Sequence, residues 1–249
     1  MYELNKAMNN DGQIDLPSHG VITSETINAL LKMRITIYHL FKTLFLEEPS
    51  EKFLHDILNN EVLRTLSQNY PEKNIRELIA EFLKEAEKLS RDKDCLTEVW
   101  AEYVRLFIGT PVPLVTPYES VNRGEETLKG KMWLEVRDWM LDDGMILQDN
   151  SVLEDHIGIE LEYMVVMCTM SLEALRNGDL REVKRLLTRQ RRFLENHLLT
   201  WLPNVCWKIE NESVQRFYRI LASLTDNYVK EDYELVMEIE EFIEEEVKK

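Results

Sequence analysis

The chain has 249 residues, with 46 acidic against 30 basic side chains and a net charge of −16. Such an acid excess argues against a nucleic-acid partner, whose phosphates would be repelled; it suits a basic partner, although composition alone favours a charge that only keeps the chain soluble. A 44% hydrophobic share suits a folded globular chain of one large domain or two small ones, and only 8 glycines and 7 prolines beside plentiful Leu, Glu, Lys, Arg and Met point to an all-α fold.

Residues 1–22 are polar and carry Gly12, Pro17 and Gly20, so they read as a loosely ordered lead-in. They lack the apolar core of a secretory signal, and no later run approaches the roughly 18–20 apolar residues of a membrane span. The chain is therefore expected to be soluble and cytoplasmic. Cys95, Cys168 and Cys206 fit no zinc framework, and an odd cysteine count without a leader suggests reduced thiols.

From Ser24, the residues Ile27, Leu30, Leu31, Tyr38, Phe41, Leu44 and Phe45 recur at helical spacing until Pro49. Ser50 caps a short helix to Leu58, and another runs from Glu61 to Gln68, ended by Asn69-Tyr70-Pro71. Ile75, Leu78, Ile79, Phe82, Leu83 and Ala86 form the next stripe. Asp94 is the expected cap of a helix bearing Leu96, Val99, Trp100, Tyr103, Leu106 and Phe107.

Then the pattern stops. The stretch PLVTPYESVNRG, Pro113 to Gly124, has neither strand alternation nor helical period. Beyond it, Leu128, Met132, Val136, Trp139 and Met140 predict a helix closed by Gly144 in the left-handed region. Ser151-Val-Leu-Glu154 reads as a capping box opening a long helix through Leu175, and Asp179-Leu-Arg-Glu182 as a second one. That next helix is expected to stop at Trp201-Leu-Pro203, and two more, Glu212 to Val229 and Glu231 to Val247, complete the chain. The expectation is a single bundle-like domain, 23–249, of about ten helices, with halves 23–109 and 121–249 joined by a Pro-rich loop, 110–120.

Asp155, His156 and Glu160 are the titratable group that invites a chemical role, since His156 and Glu160 stand four apart on a predicted helix. The three could serve a metal-assisted hydrolase, but two ligands are too few and no nucleophile motif accompanies them. Spacing alone favours an interior polar network that ties helix ends together. Arg181, Lys184, Arg185, Arg189, Arg191 and Arg192 form a basic run in an acidic chain, best read as a solvated face complementing the acidic last helix. Trp100, Trp133, Trp139, Tyr163, Trp201 and Trp207 fall on apolar stripes, so core packing is the expectation, whereas Tyr103 and Tyr118 flank the irregular stretch as surface candidates.

Placed in order, these pieces resemble a known family. Glu102-Tyr103-Val-Arg-Leu106-Phe107-Ile-Gly109-Thr-Pro111-Val-Pro113, followed by Pro117-Tyr118-Glu119-Ser120-Val121, is similar to the first signature of the TorD/DmsD/NarJ family of molybdoenzyme maturation chaperones. Glu154-Asp155-His156-Ile157-Gly158-Ile159-Glu160-Leu161 resembles the second, although Leu153 stands where the family often has a proline. Phe193-Leu194-Glu-Asn-His197-Leu198 with Trp201-Leu-Pro203 is also similar. The likeness spans roughly residues 24–230. It implies a non-enzymatic cytoplasmic chaperone that binds the twin-arginine-type leader of a molybdopterin oxidoreductase catalytic subunit while that enzyme receives its cofactor. The chaperone itself needs no metal or cofactor on this reading, and it would be a monomer or a domain-swapped dimer. The implied peptide-binding residues are Tyr103, Phe107, Tyr118, Glu119, Ser120, Asp155, His156 and Glu160, with the carboxylates forming an acidic rim beside an apolar groove. A non-catalytic helical adaptor without a peptide role is the remaining alternative.

Overall fold

A computed structural model describes residues 23–109, 112–148 and 151–248; the lead-in 1–22 and residues 110–111 of the connecting loop lie outside them. The described residues are all-α. The helices are α1 (Ser24–Leu46), α2 (Glu51–Leu58), α3 (Glu61–Asn69), α4 (Lys73–Arg91), α5 (Lys93–Tyr103), α6 (Glu119–Asn122), α7 (Lys131–Asp142), α8 (Ile157–Arg176), α9 (Leu180–Phe193), α10 (Leu199–Glu212) and α11 (Arg216–Lys248). Two π-helical turns, Val104–Ile108 and Leu194–Leu198, follow α5 and α9. No helix among the described residues is long and apolar enough to cross a membrane.

Short polar side chains start most of these helices. Ser50 accepts the Phe53 N–H, Asn60 that of Leu63, and Asp179 that of Glu182, each satisfying a donor that the first turn leaves unpaired. The cap of α5 is Asp92 rather than Asp94, and its carboxylate takes the N–H groups of both Asp94 and Cys95. Gly144 closes α7 at φ +79, a conformation in which a Cβ is strained.

At the centre lies α8, buried on most of its circumference from Ile157 to Ala174, packed along α1 and against α9. Around it, α11 packs on α4, α9 and α10. One apolar cluster runs from Ile27 to Ile243 and takes side chains from both sides of the irregular stretch, so residues before Gly109 and after Ser120 share a core. Inside that core, Arg34 of α1 meets Asp232 of α11 through two hydrogen bonds of 2.6 and 2.9 Å, while the Tyr38 hydroxyl donates to the same carboxylate and Gln190 of α9 accepts from the guanidinium. All four side chains are buried, and the network fixes α1, α9 and α11 relative to one another.

Several expectations need correction. Between Arg216 and Lys248 the sequence has neither glycine nor proline, so one 33-residue helix replaces the two expected. The charged Lys230-Glu231-Asp232 step between the two expected helices belongs to that one helix, with Asp232 pointing inward to Arg34. Pro203 does not end a helix but sits inside α10; the π-helical turn just before it loosens the main-chain ladder where proline has no N–H to give. Trp100 and Trp207 are surface residues, 43% and 62% exposed, rather than core. The basic face of α9 does meet the acidic last helix: Arg191 pairs with Glu240 at 2.7 Å and Lys184 with Glu244 at 3.4 Å, while Arg185 and Arg189 both hold Asp143.

Candidate functional site

The irregular stretch starts with a constraint on Gly109. Its N–H donates to the Val104 carbonyl at 2.7 Å, its φ is +32, and a Cβ there would stand 2.6 Å from the Pro113 Cα. Only glycine lets the chain fold back so closely. Val115 then donates to the Leu106 carbonyl, and Asn122 Nδ2 ties the carbonyls of Thr116 and Tyr118.

Here the two sequence motifs meet. Tyr118 and His156 form an antiparallel bridge: the Glu119 N–H donates to the Asp155 carbonyl at 2.8 Å, and the Ile157 N–H to the Pro117 carbonyl at 2.9 Å. Their rings stack edge to face with centroids 5.1 Å apart. Because this bridge holds His156 extended, after a turn at Glu154-Asp155, α8 cannot begin at the Ser151 box. It begins at Ile157, with His156 as its cap, φ −78 and ψ 136, accepting the Gly158 N–H on Nδ1 at 3.0 Å. Asp155 serves the other helix: its Oδ2 accepts the Ser120 N–H at 3.1 Å, at the start of α6, which has no cap of its own. Adjacent residues thus each terminate one helix, which explains why an aspartate and a histidine stand side by side.

Below the bridge lies a cluster of carboxyl groups. Glu119 Oε1 accepts from Arg123 Nη1 at 2.6 Å, and its Oε2 lies 3.0 Å from His197 Nδ1. Glu160 of α8 accepts the Trp201 indole N–H at 3.2 Å and lies close enough to Glu119 for the two carboxyl groups to interact. Two buried carboxyl groups in contact cannot both be charged at ordinary cost, so one carries a proton. Burial, reinforced by the Glu119 carboxylate, raises the Glu160 carboxyl well above the usual range, so Glu160 is the one that keeps its proton. Burial also raises the Asp155 carboxyl, against the pull of its Ser120 hydrogen bonds, and lowers the His156 imidazole to about 4. His156 is thus neutral at physiological pH, as its acceptor role at Gly158 requires.

Tyr118, Glu119, Ser120, Asp155, His156 and Glu160 therefore come together. Tyr103 and Phe107 do not join them. Both are buried, stacked on each other at 5.3 Å, with Phe107 against Phe45 and Tyr218 and the Tyr103 hydroxyl 3.5 Å from the Phe45 carbonyl. The acidic rim also needs correction: Glu119, Asp155 and Glu160 are wholly buried, because they cap, pair and hydrogen-bond within the protein. Beside the exposed Arg105 and Arg123, several apolar side chains face solvent here. Ile108, Val112 and Leu114 are exposed on the folded-back loop, Val121 on α6, and Trp207 and Val214 nearby. Lys208 Nζ reaches Asn122 at 3.4 Å, and Arg105 reaches the Glu212 carbonyl at 2.6 Å, which brings α6, the loop and the end of α10 to one face.

Arg123, His197 and Trp201 complete the cluster, although the sequence placed Trp201 only in the core and none of the three at the site. Their signal was spacing: Arg123 lies four residues after Glu119, and His197 four before Trp201. Among the described residues no group of three His, Cys, Asp or Glu side chains could hold a metal ion. The His156 Nδ1 lone pair is already taken by Gly158, so the metal-assisted hydrolase has no geometric support here.

Comparison with known proteins falls on the same residues. The family described as "Nitrate reductase delta subunit" matches residues 68–207, which include both motifs. The chain is similar to the chaperone protein TorD of Shewanella pealeana, 28% identical over 224 residues, covering 86% of this chain and 95% of the relative. The chaperone protein TorD of Shewanella piezotolerans is 26% identical over 224 residues, covering 86% and 96%. That of Vibrio parahaemolyticus is 25% identical over 210 residues, covering 84% and 96%.

Proposed function

The chain belongs to the nitrate reductase delta subunit family, which groups the TorD-, DmsD- and NarJ-type proteins, and from that premise we propose that it is a maturation chaperone for a molybdenum-containing redox enzyme. Its role is to bind, not to catalyse. The client is the catalytic subunit of a molybdopterin oxidoreductase. The chaperone holds that subunit's twin-arginine-type leader in the cytoplasm until the cofactor is inserted.

The observation that carries this reading is the family match across residues 68–207, reinforced by near end-to-end similarity to proteins named as TorD chaperones. Physical chemistry adds support. A leader joins a basic segment to an apolar one. The exposed apolar side chains Ile108, Val112, Leu114, Val121 and Trp207 offer the second a surface. A net charge of −16 draws in the first from a distance. The buried carboxylates shape and brace this face rather than line it.

The test is capture of interacting polypeptides on the immobilised chain, with identification by mass spectrometry. A molybdopterin oxidoreductase catalytic subunit retaining its leader should be enriched, and its recovery should fall as salt screens the charge contrast. Enrichment of the same subunit with its leader deleted, to the same degree, would refute the leader as the recognised element.

A further inference from the structure

Away from the two motifs, α2 and α3 meet the outer face of α4. Leu58 and Arg64 line one side of a cavity of about 510 Å³ there, and Ala80, Leu83, Lys84 and Arg91 line the other. The α4 residues recur three, four and seven positions apart, so they share one face of that helix. From Ala80 to Arg91 the trough extends about 16 Å at the helical rise per residue. Its volume falls in the range of small-molecule sites, about 300–1,000 Å³.

The chain carries a net charge of −16, yet this trough is basic: Arg64, Lys84 and Arg91 stand against one carboxylate, Glu87. Arg91 pairs with that carboxylate along α4. The side chains of Arg64 and Lys84, on opposite walls, make no hydrogen bond or ion pair among the described residues. Two uncompensated cations therefore line one hollow. Its floor is aliphatic. Leu58 and Leu83 are half-buried and packed on the core, and the Ala80 methyl is exposed beside them. Among the described residues no aromatic ring lines the trough, so a planar heterocycle would find nothing to stack on.

We propose that this trough binds a small aliphatic anion, its head held by Arg64 and Lys84 and its alkyl chain laid along Leu58, Ala80 and Leu83. Two cations suit a phosphate dianion better than a carboxylate, because both charges of the head are then matched. Exposed ion pairs contribute little when screened by salt, so the alkyl chain supplies much of the affinity by burying methylenes on the leucines. None of these residues belongs to the face read as the leader's, and the proposal stands independently of that reading.

Calorimetric titration of the full chain with hexyl phosphate tests it. The expected result is saturable binding of one molecule per chain, with a dissociation constant of about 1 mM or below. Inorganic phosphate should bind about tenfold more weakly, the equivalent of about two buried methylenes. Hexanoate should also bind more weakly, and hexanol not at all. The Arg64→Ala/Lys84→Ala variant should lose about tenfold or more in affinity for hexyl phosphate. Ala80→Glu, which sets a carboxylate on the floor, should abolish binding, and Arg192→Ala, exposed on α9, should leave it unchanged. Absence of saturable binding, inorganic phosphate or hexanoate binding as tightly as hexyl phosphate, or an equal loss in Arg192→Ala overturns the proposal. Should a trough variant fail to fold, methyl NMR of the unaltered protein decides. Hexyl phosphate should shift the signals of Leu58, Ala80 and Leu83 and leave those of Ile108 and Leu114 in place; shifts at all five, or at none, overturn the proposal.

Discussion

Substituting Glu160 by glutamine isolates the proton that the carboxyl cluster needs. Glu160 is wholly buried, its Oε2 takes the Trp201 indole N–H, and the Glu119 carboxylate stands beside it. Burial and the neighbouring carboxylate raise its folded-state pKa well above the ordinary 4.5. In the unfolded chain the same group loses its proton near that ordinary value. Above it, the folded state binds one proton more than the unfolded state, so stability is fully present below the ordinary pKa and is lost as pH rises. The slope for one proton is about 1.4 kcal/mol per pH unit for as long as Glu160 stays protonated. Glutamine keeps a donor for Glu119 and an acceptor for Trp201 but has no proton to lose. Urea unfolding at rising pH above the ordinary carboxyl range should therefore show E160Q gaining on the unaltered protein, by about 1.4 kcal/mol per unit for as long as Glu160 keeps its proton. It should be the more stable of the two at neutral pH. Parallel pH profiles, or a variant less stable throughout, would refute the shared proton.

His156 supplies the opposite limb. Its pKa is lowered from 6.5 to about 4 by burial, so its contribution to stability is present above the unfolded value and is lost as pH falls from 6.5 towards 4. His156→Asn retains a cap acceptor for Gly158 and should flatten that acid limb in the same urea series. Gly109→Ala forces a Cβ to within 2.6 Å of the Pro113 main chain at φ +32, and should cost at least about 1 kcal/mol from the left-handed conformation alone, read as a lowered urea midpoint. Arg34→Met strands the buried Asp232 carboxylate and should cost about 3–5 kcal/mol, with part recovered in the Arg34→Met/Asp232→Leu double variant.

How much of this was legible in sequence follows from how local each signal is. Ser50 and Asp179 act on the turn beside them, and their caps read directly. The start of α8 did not, because the Ser151 box is a valid local signal overruled by a bridge to Tyr118, 38 positions from His156 in the chain. Nothing local marks Asp232 as buried, because its partner Arg34 lies 198 residues away and meets it in the core. At the site, the residue types of both motifs pointed to each other, and the structure joins them. Burial, however, cannot be read from charge: Glu119, Asp155 and Glu160 look like a receptor for a cation, but His197 and Trp201, which help bury Glu119 and Glu160, come from a distant part of the chain. Tyr103 and Phe107 belong to the same sequence motif as Gly109, yet the helix turns them toward Phe45 and Tyr218.

The most direct measurement is calorimetric titration of the full chain with a synthetic leader peptide carrying the arginine pair and its apolar segment, beside a scrambled peptide of the same composition. Saturable binding of one leader peptide per chain, weakened by salt and by Trp207→Ser on the exposed face, is the predicted outcome. Equal heats from the leader and the scrambled peptide would contradict it.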